Sequence, residues 1–329
     1  MLCIDNTSTE PYFNQAAEEY LLKNKMQDVF MLWRNNNAII VGKHQNTLAE
    51  INAEYVKERD IKVVRRLTGG GAVFHDMGNL NFTFIMGFDN QPDKLDFQKY
   101  TEPIIEVLQK LNINAEFTGR NDLLIEGLKF SGNAEHIDHK NKRVLHHGTL
   151  LFASEIQDIS DALKVNPLKY QGKARQSVRS RVTNISSHLK QELTAEQFRK
   201  MVMDHIVERY PDATPYEFSA EDKLEIQKIA DEKYSQWHWN FGYSPKYGLK
   251  KGIKAEGGHV EVHLNVDKGL IEEVKIYGDF FVHRDIEPVE KALVGKEHRH
   301  EVVLQTLKTI ESSRYFSNIS EEELTEAFF

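Results

Sequence analysis

The chain has 329 residues, and its hydrophobic fraction of 40% and charged fraction of 28% are ordinary for a globular protein. At roughly 150 residues per domain, this length suggests about two domains. The net charge of −8 argues against a general nucleic-acid binder, and the absence of any run of about 18 apolar residues predicts no membrane span.

The N-terminal segment and the cysteine content indicate a cytoplasmic protein. The segment MLCIDNTSTEPYFNQ is polar and lacks the basic region and apolar core of a signal peptide. Cys3 is the only cysteine of the sequence, so no internal disulfide can form. A chain without disulfides fits a reducing compartment, and we expect neither a membrane nor a nucleic acid as partner.

The first third of the chain alternates helical and strand patterns. PYFNQAAEEYLLKN carries apolar residues at helical spacing, and Pro11 stands near its start. VFMLWRN and AIIVGKHQN predict two short strands, and AEINAEYVKERD predicts a polar amphipathic helix. IKVVRRLT predicts a strand that runs into three glycines, and LNFTFIM predicts another strand beyond them.

The rest of the chain predicts further elements and a domain boundary. QKYTEPIIEVLQKLN predicts a helix, and residues 121–152 predict a strand, a tight turn, a strand, a polar loop and a third strand. TAEQFRKMVMDHIVERY and AEDKLEIQKIADEKY predict helices; HVEVHLNVDKGLIEEVKIYGDFF predicts a hairpin, followed by two helical segments. Because WHWNFGYSPKYGLKKG reads as a boundary, we expect a large domain over 1–245 and a small α+β domain over 253–329.

The triple glycine in RRLTGGGAVFHDMGNLNFTF is the first candidate site. Its spacing fits neither a Walker phosphate loop nor a dinucleotide fingerprint, and a strand pattern follows it. Consecutive glycines can turn successive N–H groups toward a ligand, and Arg65 or Arg66 beside them would complete an anion site. The alternative is a glycine-rich hairpin turn that carries two surface arginines.

Three further constellations carry chemistry-bearing residues. Lys129 in GRNDLLIEGLKFSGNAEH is a candidate cation, although a strand lysine that faces solvent is the alternative. His146 and His147 are adjacent on a predicted strand and point to opposite faces, which disfavours a shared metal. A basic run is either a solvated face or a site for a polyanion such as triphosphate. Its cations are Lys169, Lys173, Arg175, Arg179 and Arg181.

Taken together, these motifs resemble those of bacterial lipoate–protein ligases. RRLTGGGAVFHDMGNLNFTF, GRNDLLIEGLKFSGNA, HHGTLL, SVRSRVTN and WNFG occur in that family's order and at similar separations, and the resemblance covers nearly the whole chain. It implies an α+β fold in which a biotin/lipoate ligase-like catalytic domain has a central mixed β-sheet flanked by helices. It also implies a small α+β C-terminal accessory domain.

The resemblance implies an ATP-dependent reaction and a set of site residues. Lipoate would be activated to lipoyl-AMP and then transferred to a lysine of an acceptor protein, with Lys129 matching the family's catalytic lysine. The glycines would form a floor for the ligand, and the basic run would close over the adenylate. The implied substrate- and nucleotide-binding residues are Arg66, Gly69, Gly70, Gly71, Ala72, Val73, Phe74, His75, Asn121, Asp122, Gly132, His147, Gly148, Thr149, Arg179 and Arg181.

The resemblance also implies cofactors, partners and rival functions. Mg²⁺ would accompany ATP through phosphate oxygens and water, without a dedicated protein site. The acceptors would be lipoyl-domain proteins, such as the acyltransferase subunits of 2-oxoacid dehydrogenases and the glycine-cleavage carrier protein. One rival is an ATP-independent lipoyl or octanoyl transferase, and the resemblance implies a catalytic cysteine for such an enzyme. Cys3 is the only cysteine and lies upstream of every motif, which disfavours this rival. The other is a non-catalytic lipoate-binding protein, which would need neither Lys129 nor a triphosphate site.

Overall fold

A computed structural model describes residues 1–89, 96–118, 121–163, 170–172 and 182–329. The strands are β1 (Leu2–Asp5), β2 (Val29–Trp33), β3 (Ala38–Val41), β4 (Lys62–Arg65), β5 (Val73–His75), β6 (Asn79–Gly87), β7 (Ala115–Thr118), β8 (Asp122–Ile125), β9 (Leu128–Asp138), β10 (Arg143–Leu151), β11 (Tyr170–Gly172), β12 (Thr214–Pro215), β13 (Tyr247–Ala255), β14 (Gly258–Asp267) and β15 (Leu270–Gly278). The α-helices are α1 (Pro11–Asn24), α2 (Ala53–Glu58), α3 (Phe97–Lys110), α4 (Ile156–Ala162), α5 (Ala195–Arg209), α6 (Ala220–Ile229), α7 (Glu287–Leu293), α8 (His300–Thr309) and α9 (Glu321–Glu326).

The described residues fall into two compact units. The first comes from Met1–Lys43, Val56–Leu163 and Ser177–Gln236, and the second from His44–Tyr55, Lys164–Gln176 and Trp237–Phe329. No helix of the part of the chain that the structure describes is both long enough and apolar enough to cross a bilayer.

The first unit is built on a mixed eight-stranded sheet. Its strand order is β12-β1-β2-β6-β10-β9-β8-β7. Strand β1 runs parallel to β2 and β12, whereas the other neighbouring strands are antiparallel. The central mixed sheet with flanking helices confirms the α+β class.

The two faces of this sheet bury different chemistry, because alternate side chains of a strand point to opposite sides. On one face, Phe82 and Phe84 of β6 join an apolar core with Ile104 of α3 and Phe198 of α5. On the other face, helix α1 contacts β6 and β10. The same helix contacts β4, so it lies between the large sheet and a smaller one.

The smaller sheet has the order β4-β3-β5. Its central strand β3 runs parallel to β4 and antiparallel to β5. The connection 66–72 therefore joins the two outer strands across the end of β3, where Gly42 lies. This connection contains the three glycines, which we call the glycine loop.

The second unit has an antiparallel sheet of order β11-β13-β14-β15. Its apolar core includes Val262 and Ile276 from the sheet and Leu307 from α8. The hairpin of β14 and β15 turns at Lys268 and Gly269, whose φ angles of 50° and 78° are the positive values that a type I′ turn requires.

Most of the predicted elements are confirmed, but some differ. The short elements β1, β7, β11, β12 and α4 were not predicted. The predicted helix over 49–60 is shorter, because regular α-helix covers only Ala53–Glu58. Strand β13 was not predicted, since its two glycines and three lysines mask the alternation of buried positions. Three α-helices rather than two follow the hairpin, namely α7, α8 and α9.

Candidate functional site

The guanidinium group of Arg66 organises the glycine loop. Its Nε donates to Thr68 Oγ1 (2.9 Å), Nη1 donates to Ile40 O (3.0 Å), and Nη2 donates to Gly69 O (2.6 Å) and Gly71 O (2.8 Å). Because a trans peptide points its C=O and the following N–H in opposite directions, the N–H groups of the residues after Gly69 and Gly71 point away from the guanidinium. The loop therefore turns its carbonyls inward and some of its amides outward.

Both arginines of the motif are buried, which excludes the alternative of a turn with two surface arginines. Arg65 is 0% exposed, and its Nη1 donates to Gly42 O and Lys43 O, each at 3.0 Å. Arg66 is 5% exposed. Each buried cation is compensated by hydrogen bonds to backbone carbonyls, as a buried charge requires.

Close approach and backbone conformation explain two glycines near this loop. Gly70 has φ = +93°, and a Cβ there would lie 2.9 Å from Arg66 Nη2. A Cβ on Gly42, at the end of β3, would overlap the carbonyl group of Gly70. A Cβ on Gly69, in contrast, meets nothing within 4 Å, so the loop borders open space there.

A buried hydrogen-bond chain connects Arg66 to the large sheet. Thr68 Oγ1 lies 2.7 Å from His147 Nε2, and His147 Nδ1 lies 2.9 Å from Glu18 Oε1. The oxygens of the Glu18 carboxylate only accept, so His147 donates its Nδ1 proton to them. Its Nε2 then accepts from Thr68 Oγ1, which in turn accepts from Arg66 Nε. Thr83 Oγ1 also donates to Glu18 Oε1 (2.6 Å). The chain thus has one consistent direction of donation from the arginine to a buried carboxylate.

His75 provides a buried donor on the small sheet. Asn35 Nδ2 donates to His75 Nδ1 (3.0 Å), and Asn14 fixes this orientation by donating to Asn35 Oδ1 (2.9 Å). The proton of His75 is therefore on Nε2, which is buried and has no hydrogen-bond partner among the residues that the structure describes. Burial lowers the pKa of His75 to about 3, with help from the positive charge of Arg66, so the ring is neutral.

Lys129 on β9 forms an ion pair with Asp122 on β8. The distance from Lys129 Nζ to Asp122 Oδ1 is 2.8 Å, and the two side chains are 24% and 30% exposed. A Cβ on Gly132 would lie 3.0 Å from Nζ, so glycine at this position leaves room for the ammonium group. The Gly132 amide donates to Thr149 Oγ1 (3.1 Å), which ties this pair to β10.

Strand β10 brings the glycine loop and the lysine pair to the same face of the large sheet. His147 contacts the loop through Thr68, and Thr149 contacts Gly132 beside Lys129. Residues two apart on a strand share a face and lie about 7 Å apart. Gly148, between them, points to the opposite face, where a Cβ would overlap Asn133 Oδ1.

The remaining predicted residues are placed as follows. Asn121 lies next to Asp122 and its Nδ2 donates to Asn133 O (2.6 Å). Val73 and Phe74 pair with β3, and Phe74 is buried. Since adjacent strand residues face opposite sides, Phe74 lies on the other face of β5 from His75. Arg179, Arg181 and the rest of the basic run lie outside the described residues.

Sequence reasoning missed several polar residues of the buried chain. Thr68 stands inside the glycine motif, and only its position between arginine and glycine could have singled it out. Glu18 is a carboxylate beside the apolar stripe of α1, an unusual place for a charge. Trp33 donates from Nε1 to Thr83 Oγ1 (2.8 Å), a contact between β2 and β6 that no local pattern reveals.

Comparison with known proteins gives the following similarities. Residues 10–207 match the lipoyl protein ligase A/B catalytic domain, and residues 244–328 match the bacterial lipoate protein ligase C-terminus. The chain is 41% identical over 334 residues to lipoate-protein ligase LplJ of Bacillus subtilis, with 100% of both chains covered. It is 43% identical over 322 residues to lipoate–protein ligase 1 of Staphylococcus aureus, with 97% of both covered. A crystal structure of P. falciparum LipL1 in complex with lipoate superposes with a TM-score of 0.61 at 25% identity, covering 95% of this chain and 98% of that one.

The two glycines of the loop offer a matched test of this geometry. Gly70→Ala should lower the free energy of unfolding by about 2 kcal/mol, because it forces a side chain into the left-handed region against Arg66. Gly69→Ala should change that free energy by less than about 0.5 kcal/mol, because its Cβ enters open space. Urea denaturation of both variants measures the difference, and equal losses would contradict the described loop.

Proposed function

The chain belongs to the lipoyl protein ligase family, and on that premise we propose that it is an ATP-dependent lipoate–protein ligase that forms lipoyl-AMP and transfers the lipoyl group to lipoyl-domain proteins. The proposal rests on the arrangement along β10, where the glycine loop and the Lys129–Asp122 pair share one face. Activation of a carboxylate by ATP needs both an anion-binding loop and a cation at the reacting centre.

The first step joins lipoate to the nucleotide. A lipoate carboxylate oxygen attacks the α-phosphorus of ATP, the bond from that phosphorus to the bridging oxygen breaks, and pyrophosphate leaves with the bond electrons. Negative charge accumulates around the α-phosphate, so preorganised donors and cations dominate the catalysis. Lys129 would leave Asp122 to hold the carboxylate and an α-phosphate oxygen, a task for which its compact ammonium group is suited.

The glycine loop and His75 would supply the neutral donors. Outward-facing amides such as that of Gly70 form an anion-binding surface, and Arg66 adds positive charge behind them. The Nε2–H of His75 is a buried donor that an oxygen of the ligand can satisfy. Open space beside Gly69 leaves room for the ligand to lie on the loop.

The apolar tail of lipoate requires an apolar slot. Phe74 is one of the binding residues that the resemblance implies, but its side chain lies on the opposite face of β5 from His75. The Trp33 ring meets the His75 ring edge-on, with centroids 6.0 Å apart, on the face that carries the buried chain. Trp33 is therefore better placed than Phe74 to line that slot.

We propose that Mg²⁺ enters only as the counter-ion of ATP. In the part of the chain that the structure describes, no group of three His, Cys, Asp or Glu side chains is arranged to hold a metal ion. Mg²⁺ commonly keeps several waters and binds through substrate phosphates, which fits a site without a protein cage.

In the second step, the ε-amine of an acceptor lysine attacks the acyl carbon, the carbon–oxygen bond to phosphate breaks, and AMP leaves while the nitrogen loses a proton. We propose the lipoyl-bearing proteins of 2-oxoacid dehydrogenases and glycine cleavage as acceptors. A catalytic domain over 1–245, an accessory domain over 253–329 and a cytoplasmic location complete the proposal. The family matches at 10–207 and 244–328 support that division.

The transferase rival lacks a suitable nucleophile. Cys3 is buried on β1 within the apolar core, and burial raises the pKa of its thiol. A thioester-forming enzyme needs an exposed cysteine whose pKa is lowered. A simple binding protein, in turn, has no use for the Lys129–Asp122 pair beside an anion-binding loop.

Replacing Lys129 tests the proposed function. Lys129→Met keeps the length of the side chain and removes its charge, so lipoate-dependent ATP–pyrophosphate exchange should fall by about a hundredfold or more. Lys140→Met removes an exposed lysine from the turn that follows β9 and should exchange as the wild type does. Wild-type protein without exchange would exclude the ligase, and a folded Lys129→Met variant with normal exchange would exclude the assigned role.

A further inference from the structure

A buried acid–base pair lies on the face of the large sheet opposite the candidate site. Glu135 Oε1 on β9 is 2.8 Å from His146 Nδ1 on β10, and the two side chains are 1% and 0% exposed. The surrounding face is otherwise the apolar core, with Phe82 and Tyr100 stacked on the His146 ring. Burying such a pair costs desolvation free energy, and the pair has no part in the reaction described above. Its presence in the core therefore needs an explanation.

The pair continues into a hydrogen-bond chain that reaches the candidate site. His146 Nε2 lies 3.3 Å from Asn133 Oδ1. Asn133 Nδ2 donates to Asn121 O (3.1 Å), and the backbone N–H of Asn133 donates to the same oxygen (3.0 Å). Asn121 directly precedes Asp122, the partner of Lys129.

The direction of each donor fixes the position of the protons. Asn133 must turn its amide nitrogen to Asn121 O and to Ser131 Oγ, so its oxygen faces His146. His146 must therefore carry a proton on Nε2 to donate to that oxygen. If Glu135 and His146 share one further proton, either the acid donates to Nδ1 or the imidazolium donates to the carboxylate, and every contact is satisfied.

Loss of that shared proton leaves one of these hydrogen-bond contacts without a proton. An ionised Glu135 beside a neutral His146 leaves one proton for two ring nitrogens, both of which face an oxygen. Either Nδ1 then opposes the carboxylate, or Nε2 opposes Asn133 Oδ1. Rotating the Asn133 amide to compensate would set its oxygen against Asn121 O, so the strain moves to the residue beside Asp122.

We propose that Glu135 and His146 form a buried proton-holding pair that fixes the Asn133 amide and, through Asn121 and Asp122, positions Lys129. The proposal rests on the function assigned above and adds positioning residues to it. Gly148 is part of the device, because any side chain there would overlap Asn133 Oδ1. We call the series from Glu135 through His146, Asn133 and Asn121 to Asp122 the relay. It passes from the apolar face of the sheet to its ligand-binding face.

The electrostatic surroundings agree with a shared proton. Burial raises the pKa of Glu135 to about 7, although the Asp96 backbone N–H donates to Oε2 (3.1 Å), and burial lowers the pKa of His146. The two therefore titrate as one unit that releases a proton near neutral pH. The ionisable groups that face the pair are Asp96, which directly precedes α3, and Lys99 and Tyr100 of α3. His147, the next residue of β10, acts on His146 from the opposite face of the sheet.

Glu135→Gln is the decisive variant, because glutamine permanently mimics the protonated acid. Its amide nitrogen donates to His146 Nδ1 and its oxygen accepts from Asp96. In the wild type, kcat for lipoyl-AMP formation should fall about tenfold per pH unit above about pH 7, while the lipoate KM changes little. Glu135→Gln should lose this falling limb, and Glu135→Leu should lose activity at every pH.

Two controls separate positioning from general stability. Glu106 pairs with His205 (2.7 Å) outside the relay, and Glu106→Gln should keep the wild-type falling limb. Since the pKa of Glu135 is raised by folding, its stabilising contribution is complete at acid pH and is lost as pH rises through about 7. Glu135→Gln should therefore be progressively more stable than the wild type as pH rises to about 7, by thermal melting.

A ligand-free readout makes the proposal independent of the enzymatic assignment. Nitrogen-15 NMR of His146 should show a proton held on Nε2 in Glu135→Gln at all pH values, and a change of protonation near pH 7 in the wild type. A falling limb that persists in Glu135→Gln, or a His146 signal that does not respond to pH in the wild type, would overturn the relay. Failure of exchange by the wild type would instead overturn the proposed ligase.

Discussion

The hydrogen bonds of the Arg66 guanidinium are the constraint on which the candidate site depends. A cation that is 5% exposed must find acceptors, and Arg66 finds them in the carbonyls of Ile40, Gly69 and Gly71. Those carbonyls can converge only because glycine supplies the backbone conformation of the loop. The loop shape, its outward amides and the direction of the chain to Glu18 all follow from this one requirement.

Strand β10 carries polar side chains on both faces of the large sheet. His147 and Thr149 face the ligand side and reach the glycine loop and the strand of Lys129. His146 faces the apolar core and pairs with Glu135. His146, His147 and Gly148 are consecutive, and they serve positioning, ligand binding and close packing respectively. The motif HHGTLL encodes two different environments within one strand.

The sequence was sufficient to predict the class of fold and most of the helices and strands that carry the candidate site. Apolar periodicity predicted α1, α3 and α5, and alternation with a DKG turn predicted the β14–β15 hairpin, because those signals are local. It could not predict that Arg66 binds the loop itself, since the acceptors are carbonyls. Nor could it predict the contact of Thr68 with His147, because the glycine loop and β10 are far apart in sequence. The contact of Asn133 with His146 depends on the register of β9 against β10, which the strand patterns alone do not give.

Thr68 is where the arginine, the loop and the large sheet meet, and its hydroxyl group tests whether their hydrogen bonding builds the ligand site. Thr68→Val keeps the shape of the side chain but removes the hydroxyl that contacts Arg66 Nε and His147 Nε2, whereas Thr68→Ser retains it. The measurement is lipoate binding by isothermal titration calorimetry. We expect Thr68→Val to bind at least about tenfold more weakly than both the wild type and Thr68→Ser. Wild-type affinity in folded Thr68→Val would contradict the account.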